Sequence, residues 1–293
     1  MLTKSTLMTM NKAGLIIKGV GGEYTVVCDD GVYICTALGV FRNRQITPFV
    51  GDHVEIDSNK KAIIKIKPRV NILRRPPVAN IDQVIVTMAA AQPAFHPGLL
   101  DRFLVIAAYE NVNAVICINK YDLFKGQDFT LPYIQAGYTV AKVSKETGMG
   151  LDNLRSIMEG KLNVFAGPSG VGKSSLINTM IPGAKMETGD ISTRLGRGKH
   201  TTRHAEILNM GTGYCVDTPG FSSLEADDIP VEAIGGCFLE FEPFLGQCKF
   251  SNCLHDTERD CAVKEQVGVA IHPARYSSYL GFIRRDPLAR PRR

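Results

Sequence analysis

The stretch Gly167-Pro168-Ser169-Gly170-Val171-Gly172-Lys173-Ser174 constrains this chain more than any other. It follows an apolar run, Leu162–Ala166, that reads as a buried parallel strand, and it opens a helix over Lys173–Met180. That context is what a phosphate-binding loop needs. Glycines let backbone N–H groups curl around phosphate oxygens, and the helix amino terminus adds partial positive charge. Lys173 is then placed to reach the β- and γ-phosphates, and the Ser174 hydroxyl to bind Mg²⁺.

The second constraint is order. Asn119-Lys120-Tyr121-Asp122 lies upstream of the phosphate loop and carries the chemistry of a guanine reader. Asp122 can accept hydrogen bonds from guanine N1–H and the exocyclic amine, which adenine cannot supply, and unpaired acceptors reject the wrong base. Asn119 can bond the other edge, while the Lys120 stem covers the face of the ring. Val143-Ser144-Lys145-Glu146-Thr147-Gly148, at another strand end, resembles the loop that backs the guanine, with Ser144 and Lys145 as its contacts.

Downstream, Asp217-Thr218-Pro219-Gly220 ends a further apolar strand. Asp217 can hold Mg²⁺ through water, and the Gly220 amide can meet the γ-phosphate. Taken alone DTPG is also a good turn; fifty residues after the phosphate loop it fits a switch. Between them, Arg194 to His204 is rich in glycine and basic residues, and one of its threonines completes the Mg²⁺ shell. Thr202 is favoured over Thr201. The expected GTP contacts are thus Asn119, Lys120, Tyr121, Asp122, Ser144, Lys145, Gly167, Pro168, Ser169, Gly170, Val171, Gly172, Lys173, Ser174, Ser175, Asp217 and Gly220, with Mg²⁺ on Ser174 and Thr202.

In an ordinary GTPase the phosphate loop comes first. Here the parts are circularly permuted, which a buried sheet tolerates because its binding loops converge in space whatever the order of connection. Phe221 follows DTPG, where many GTPases carry the glutamine that orients the attacking water. Slow intrinsic, partner-stimulated hydrolysis is therefore expected. His200 is the candidate catalytic replacement.

The flanks have different characters. Residues 1–80 hold 12 Lys and Arg against 6 Asp and Glu, an excess suited to a polyanion or to an ordinary solvated surface. Gly14–Lys18, Glu23–Cys28, Val32–Thr36, His53–Ile56 and Ala62–Ile66 read as short strands separated by turns. Such a set suits a small barrel, an OB-fold foremost and an SH3-like barrel as the alternative. Pro76-Pro77 and three arginines mark residues 69–80 as a solvated linker. From Ile81, runs at Val84–Met88, Ala114–Ile118, Thr139–Val143, Leu162–Ala166 and Gly213–Val216 alternate with helical patterns such as Leu99–Tyr109, an α/β arrangement. The expected division is 1–68 barrel (1–9 an extension, with Met10 a candidate start), 69–80 linker, 81–229 permuted GTPase, and 230–293 metal-binding region with basic tail.

Cys248, Cys253, His255 and Cys261 supply three thiolates and an imidazole within fourteen residues. Four protein ligands suit one tetrahedral, structural Zn²⁺ and leave no open position for catalysis. Cys237 is the one plausible substitute ligand; Cys28, Cys35, Cys117 and Cys215 sit in strand-like runs and read as core. His53, His96, His204 and His272 show no partner pattern. No run approaches a membrane span, and no secretory signal precedes the barrel, so a cytoplasmic protein without a membrane partner is expected; a monomer is the separate expectation for its assembly.

A barrel, a permuted GTPase and a zinc cluster in that order resemble the RsgA (YjeQ) family of bacterial ribosome-assembly GTPases. The resemblance rests on Asn119–Asp122, Gly167–Ser175, Asp217–Gly220 and Cys248/Cys253/His255/Cys261, and covers nearly the whole chain. It implies an OB-fold, a circularly permuted GTPase domain and a zinc domain. It also implies GTP hydrolysis stimulated by the small ribosomal subunit during late maturation, with barrel and zinc domain on ribosomal RNA. The competing readings are an rRNA-binding assembly factor using GTP only as a binding switch, and an ATP-driven nucleic-acid enzyme, which Asp122 disfavours. Because DTPG runs into the carboxyl-terminal region, GTP loading is expected to change how the flanking domains grip RNA.

Overall fold

A computed structural model describes residues 11–43, 46–74, 77–181, 206–217 and 228–284. The amino-terminal strands are β1 (Asn11–Val20), β2 (Glu23–Cys28), β3 (Gly31–Ala37), β4 (His53–Asp57) and β5 (Ala62–Ile66), with a short helix α1 (Gly39–Asn43) after β3. β1 pairs with both β2 and β4, β2 with β3, β3 with β5 in parallel, and β5 with β4, so the five strands close on themselves. That circuit is the OB-fold. Alternation puts Ile16, Val26, Cys35, Val54, Ile56 and Ile63 inside, each no more than 1% exposed, while Val32 and Ile34 face out.

The stretch read as a solvated linker contains an antiparallel ribbon, β6 (Ile72–Arg74) with β7 (Pro77–Ala79). Its Leu73 and Val78 are buried in the main core. Pro77 is tolerated because a two-stranded ribbon has outward positions that need no N–H donor. Arg69, also expected in solvent, grips the buried Asp52 carboxylate through Nε and Nη2, both at 2.7 Å, and lies over the Phe49 ring.

The central unit comprises β8 (Gln83–Ala89), α2 (Pro97–Tyr109), β9 (Asn113–Asn119), α3 (Leu131–Gln135), β10 (Thr139–Lys142), α4 (Leu151–Met158), β11 (Leu162–Ala166), α5 (Lys173–Met180), β12 (Glu206–Asn209) and β13 (Tyr214–Asp217). Sheet order is β10-β9-β8-β11-β13-β12; the first five are parallel and β12 runs antiparallel to β13. β8 and β11 are buried at every residue, which is why they read as continuous apolar runs. The phosphate-loop strand β11 lies in the middle of the order although it comes fourth in the chain. β12, unforeseen from the sequence, joins β1 through Lys18 and Glu206.

α2 is buried on two faces. Leu100, Phe103, Leu104 and Ala107 pack in the core that includes the sheet, while Val105 and Ile106 join Phe238, Phe241 and Tyr279 of the carboxyl-terminal segment. That segment holds α6 (Val231–Ile234), α7 (Ala262–Glu265) and α8 (Pro273–Ile283). His96 and His272, given no role from sequence, cap α2 and α8: each Nδ1 accepts a backbone N–H at 3.1 Å. Arg284, just after α8, bonds Asp256. No helix among the described residues is long and apolar enough to cross a membrane.

Candidate functional site

The phosphate loop leaves β11 at Ala166 and enters α5 at Lys173, with Gly172 at the helix cap in the left-handed region, φ 92°. Two glycines are dictated by close approach. A side chain on Gly167 would strike the Thr87 carbonyl, and one on Gly172 would strike the Asn119 amide. Lys173 is largely buried and bonds the Gly167 and Pro168 carbonyls at 2.8 and 2.7 Å, so its ammonium spans the loop. Burial pushes its pKa below the usual lysine value. Ser174 and Ser175 stand in the first turn of α5.

Asn119, at the end of β9, donates from Nδ2 to the Val171 carbonyl at 2.8 Å. That bond fixes the amide orientation and leaves Oδ1 buried without a partner among the described residues. An unpaired buried acceptor costs about 1–3 kcal/mol, which a donor on a bound ligand can recover. The next residue, Lys120, has a left-handed backbone, and its ammonium bonds the Gly170 carbonyl at 2.8 Å and the Gln92 carbonyl. Base motif and phosphate loop are thereby tied at two neighbouring carbonyls. The Gln92 segment was not singled out from sequence, and nothing in its residue types signals the contact.

Asp122 is exposed within the short 3-10 turn Tyr121–Leu123, and Tyr121 N–H bonds the Val143 carbonyl, which joins this turn to the loop beyond β10. In that loop Ser144 is fully buried and accepts the Thr147 N–H at 3.2 Å, while Lys145 is exposed. Lys142 lies over the Tyr121 ring and bonds Asp128 at 2.5 Å. Asp217 is the last residue of β13, opposite Glu206. Its side chain, and all of His200, Thr201, Thr202, Gly220 and Phe221, lie outside the described residues. The loops after β9, β10 and β11 follow the carboxyl ends of parallel strands, where open α/β sheets bind ligands, and Asp217 stands at the end of a fourth.

The second cluster is compact. Cys248 Sγ lies 3.8 Å from Cys261 Sγ and 3.5 Å from His255 Nδ1, which is 3.4 Å from Cys261 Sγ. The donors of all four residues, Cys253 included, lie within 4.8 Å of one another. Tetrahedral zinc with usual bond lengths sets sulfurs about 3.8 Å apart and sulfur about 3.5 Å from nitrogen, so the set is compatible with one such ion. Tyr276 and Tyr279 donate to the His255 and Leu254 carbonyls and hold the cluster's backbone against α8. Cys237 is not in the group; its thiol faces the Ala233 carbonyl.

A closed OB barrel, a phosphate-loop sheet in permuted order and a Cys₃His cluster define a circularly permuted GTPase with two accessory units. The RsgA GTPase family model matches residues 66–227 and the RsgA N-terminal domain model residues 13–64. The chain belongs to the RsgA family. A relative from Geobacillus sp. (strain WCH70), named small ribosomal subunit biogenesis GTPase RsgA, is 45% identical over 289 residues, covering 95% of this chain and 99% of its own. One of the same name from Alkaliphilus metalliredigens (strain QYMF) is 44% identical over 280 residues, covering 92% and 96%. The crystal structure of YjeQ from Thermotoga maritima is similar with TM-score 0.83 and 35% identity, covering 96% of this chain and 100% of the other. That of YloQ, a circularly permuted GTPase, has TM-score 0.78 and 35% identity, covering 99% and 100%.

Proposed function

We propose that this GTPase binds the small ribosomal subunit and its rRNA and hydrolyses GTP during late maturation of that subunit, which stimulates turnover. The observation that carries the reading is the double tie of Asn119 and Lys120 to Val171 and Gly170, which makes base motif and phosphate loop one cradle. Asp122 and Asn119 read the guanine edges, with Tyr121, the Lys120 stem, Ser144 and Lys145 around the base. Gly167 to Ser175 wrap the phosphates, Lys173 holds the β- and γ-oxygens, and the Gly220 amide meets the γ-phosphate. Ser174, Thr202 and, through water, Asp217 would hold Mg²⁺, which neutralises charge on the phosphate oxygens. His200 takes the place of the glutamine that orients the attacking water, Phe221 standing where that glutamine is common.

Cys248, Cys253, His255 and Cys261 hold one structural zinc, as their separations support. The barrel at 1–68, the joining segment 69–80, the GTPase domain at 81–229 and the zinc domain at 230–293 act as one cytoplasmic monomer. The basic excess before residue 81 favours contact with RNA phosphates and shape rather than base sequence. The test is GTP turnover with and without purified small subunits. A large rise is expected. Turnover indifferent to the subunits sinks the stimulated-enzyme reading and leaves GTP as a binding switch.

A further inference from the structure

β1 is shared between two structures. It pairs with β2 and β4 inside the barrel, and at Lys18 it pairs with Glu206, the first residue of β12. Across the hairpin, Glu206 pairs in turn with Asp217, the last residue of β13. Lys18, Glu206 and Asp217 thus form one row over three strands, spanning about 10 Å at the usual strand spacing. The row starts in the barrel and ends at the residue proposed to hold Mg²⁺ through water. Along it, Lys18 Nζ bonds Glu206 Oε2 at 2.8 Å, the two side chains being 45% and 42% exposed.

We infer that Glu206, steered by Lys18, is a positioning residue for GTP hydrolysis. It fixes where β13 ends and so where Asp217 is presented, which makes the barrel part of the catalytic unit. This rests on the role proposed above for Asp217.

Three observations carry it. β12 has four residues, all paired with β13, but a single residue pair joins it to β1, so backbone bonding alone registers the barrel weakly. A slip of one residue would turn the Glu206 side chain to the opposite face, away from Lys18. The ion pair therefore selects one register. Glu206 and Asp217 are like charges directly opposite one another, which disfavours strand pairing; Lys18 offsets that charge, and K18E makes the row three acids where Asp217 is held. Both residues are half-exposed and neither belongs to a hydrophobic core, so reversal leaves the barrel and sheet interiors intact.

The test uses full-length K18E, K18R, E206Q and K18E/E206Q, without ribosomal subunits. K18E is expected to lower basal kcat for GTP about two- to fivefold, the size an exposed ion pair can supply, and K18R to keep the wild-type value. KM and GDP affinity should stay at the wild-type values. In the E206Q background K18E should have no further effect on kcat, and the gap between wild type and K18E should narrow as salt is added. K18E with wild-type kcat, K18E as harmful in the E206Q background as in the wild type, or an equal loss in GDP affinity overturns the inference. Because no subunit is present, failure here is distinct from failure of subunit stimulation.

Discussion

Arg275 of α8 and Asp101 of α2 form an ion pair with both side chains out of water, joining positions 174 residues apart. The guanidinium also bonds Glu240 through Nε at 2.6 Å and stacks over Phe238. Burial alone would lower the Arg275 pKa, but the two carboxylates raise it and keep the group charged. Removing one partner of a buried pair leaves uncompensated charge, a loss of about 3–5 kcal/mol. Arg275→Ala, leaving two stranded carboxylates, should fall in that range in urea unfolding followed by circular dichroism.

A methyl group at residue 172 meets the Asn119 amide in a backbone conformation that disfavours any side chain. Gly172→Ala should therefore weaken both GTP and GDP at least tenfold. Asn119→Ala removes the tie to Val171 as well as the proposed base contact and should act in the same direction. Fluorescent-nucleotide titration measures both, with melting curves to show that the fold persists.

The cysteine–histidine cluster predicts a metal stoichiometry. Elemental analysis of purified protein should find one zinc per chain, and Cys253→Ser should reduce it. Chelation should loosen the segment around α7 and α8 first, because its aromatic core of Phe238, Phe241 and Tyr279 abuts the cluster. Hydrogen exchange should then rise there before it rises in β8 and β11.

Asp128 supplies a pH signature. Its bond to Lys142, with help from Thr130, holds the carboxyl down at about 2, against an ordinary 3.8. A depressed acid stabilises the fold above its unfolded pKa and loses that contribution as pH falls through the folded value. The melting-temperature gap between wild type and Asp128→Asn should be constant above about pH 5 and close between about pH 4 and 2.

The barrel strands were legible because alternation and turn residues are local signals. So were the strand, glycine turn and helix around Gly167 to Gly172, which β11 and α5 bear out, while the nucleotide contacts of Lys173 and Asp122 are proposals. Long-range partnerships were not. Nothing near Arg275 indicates Asp101, and nothing near Lys120 indicates Gln92. β12 escaped because Glu206-Ile207-Leu208-Asn209 is too short to show a period. The ribbon of β6 and β7 escaped because Pro76-Pro77 signals a break, although a two-stranded pairing can accommodate proline. Helix α2 looked ordinary, yet it serves two cores. The switch stretch and its histidine remain sequence readings.

The β1–β12 junction has a consequence for solubility. A sheet ending at the antiparallel strand β12 would present a bare row of amides and carbonyls, a template on which another chain could add. Docking the closed barrel begins to cover that side with strands that leave no margin of their own. At the other margin of the run stands β10, only four residues long and terminated by Lys142. At Glu206 the barrel is thus also a stopper against strand addition.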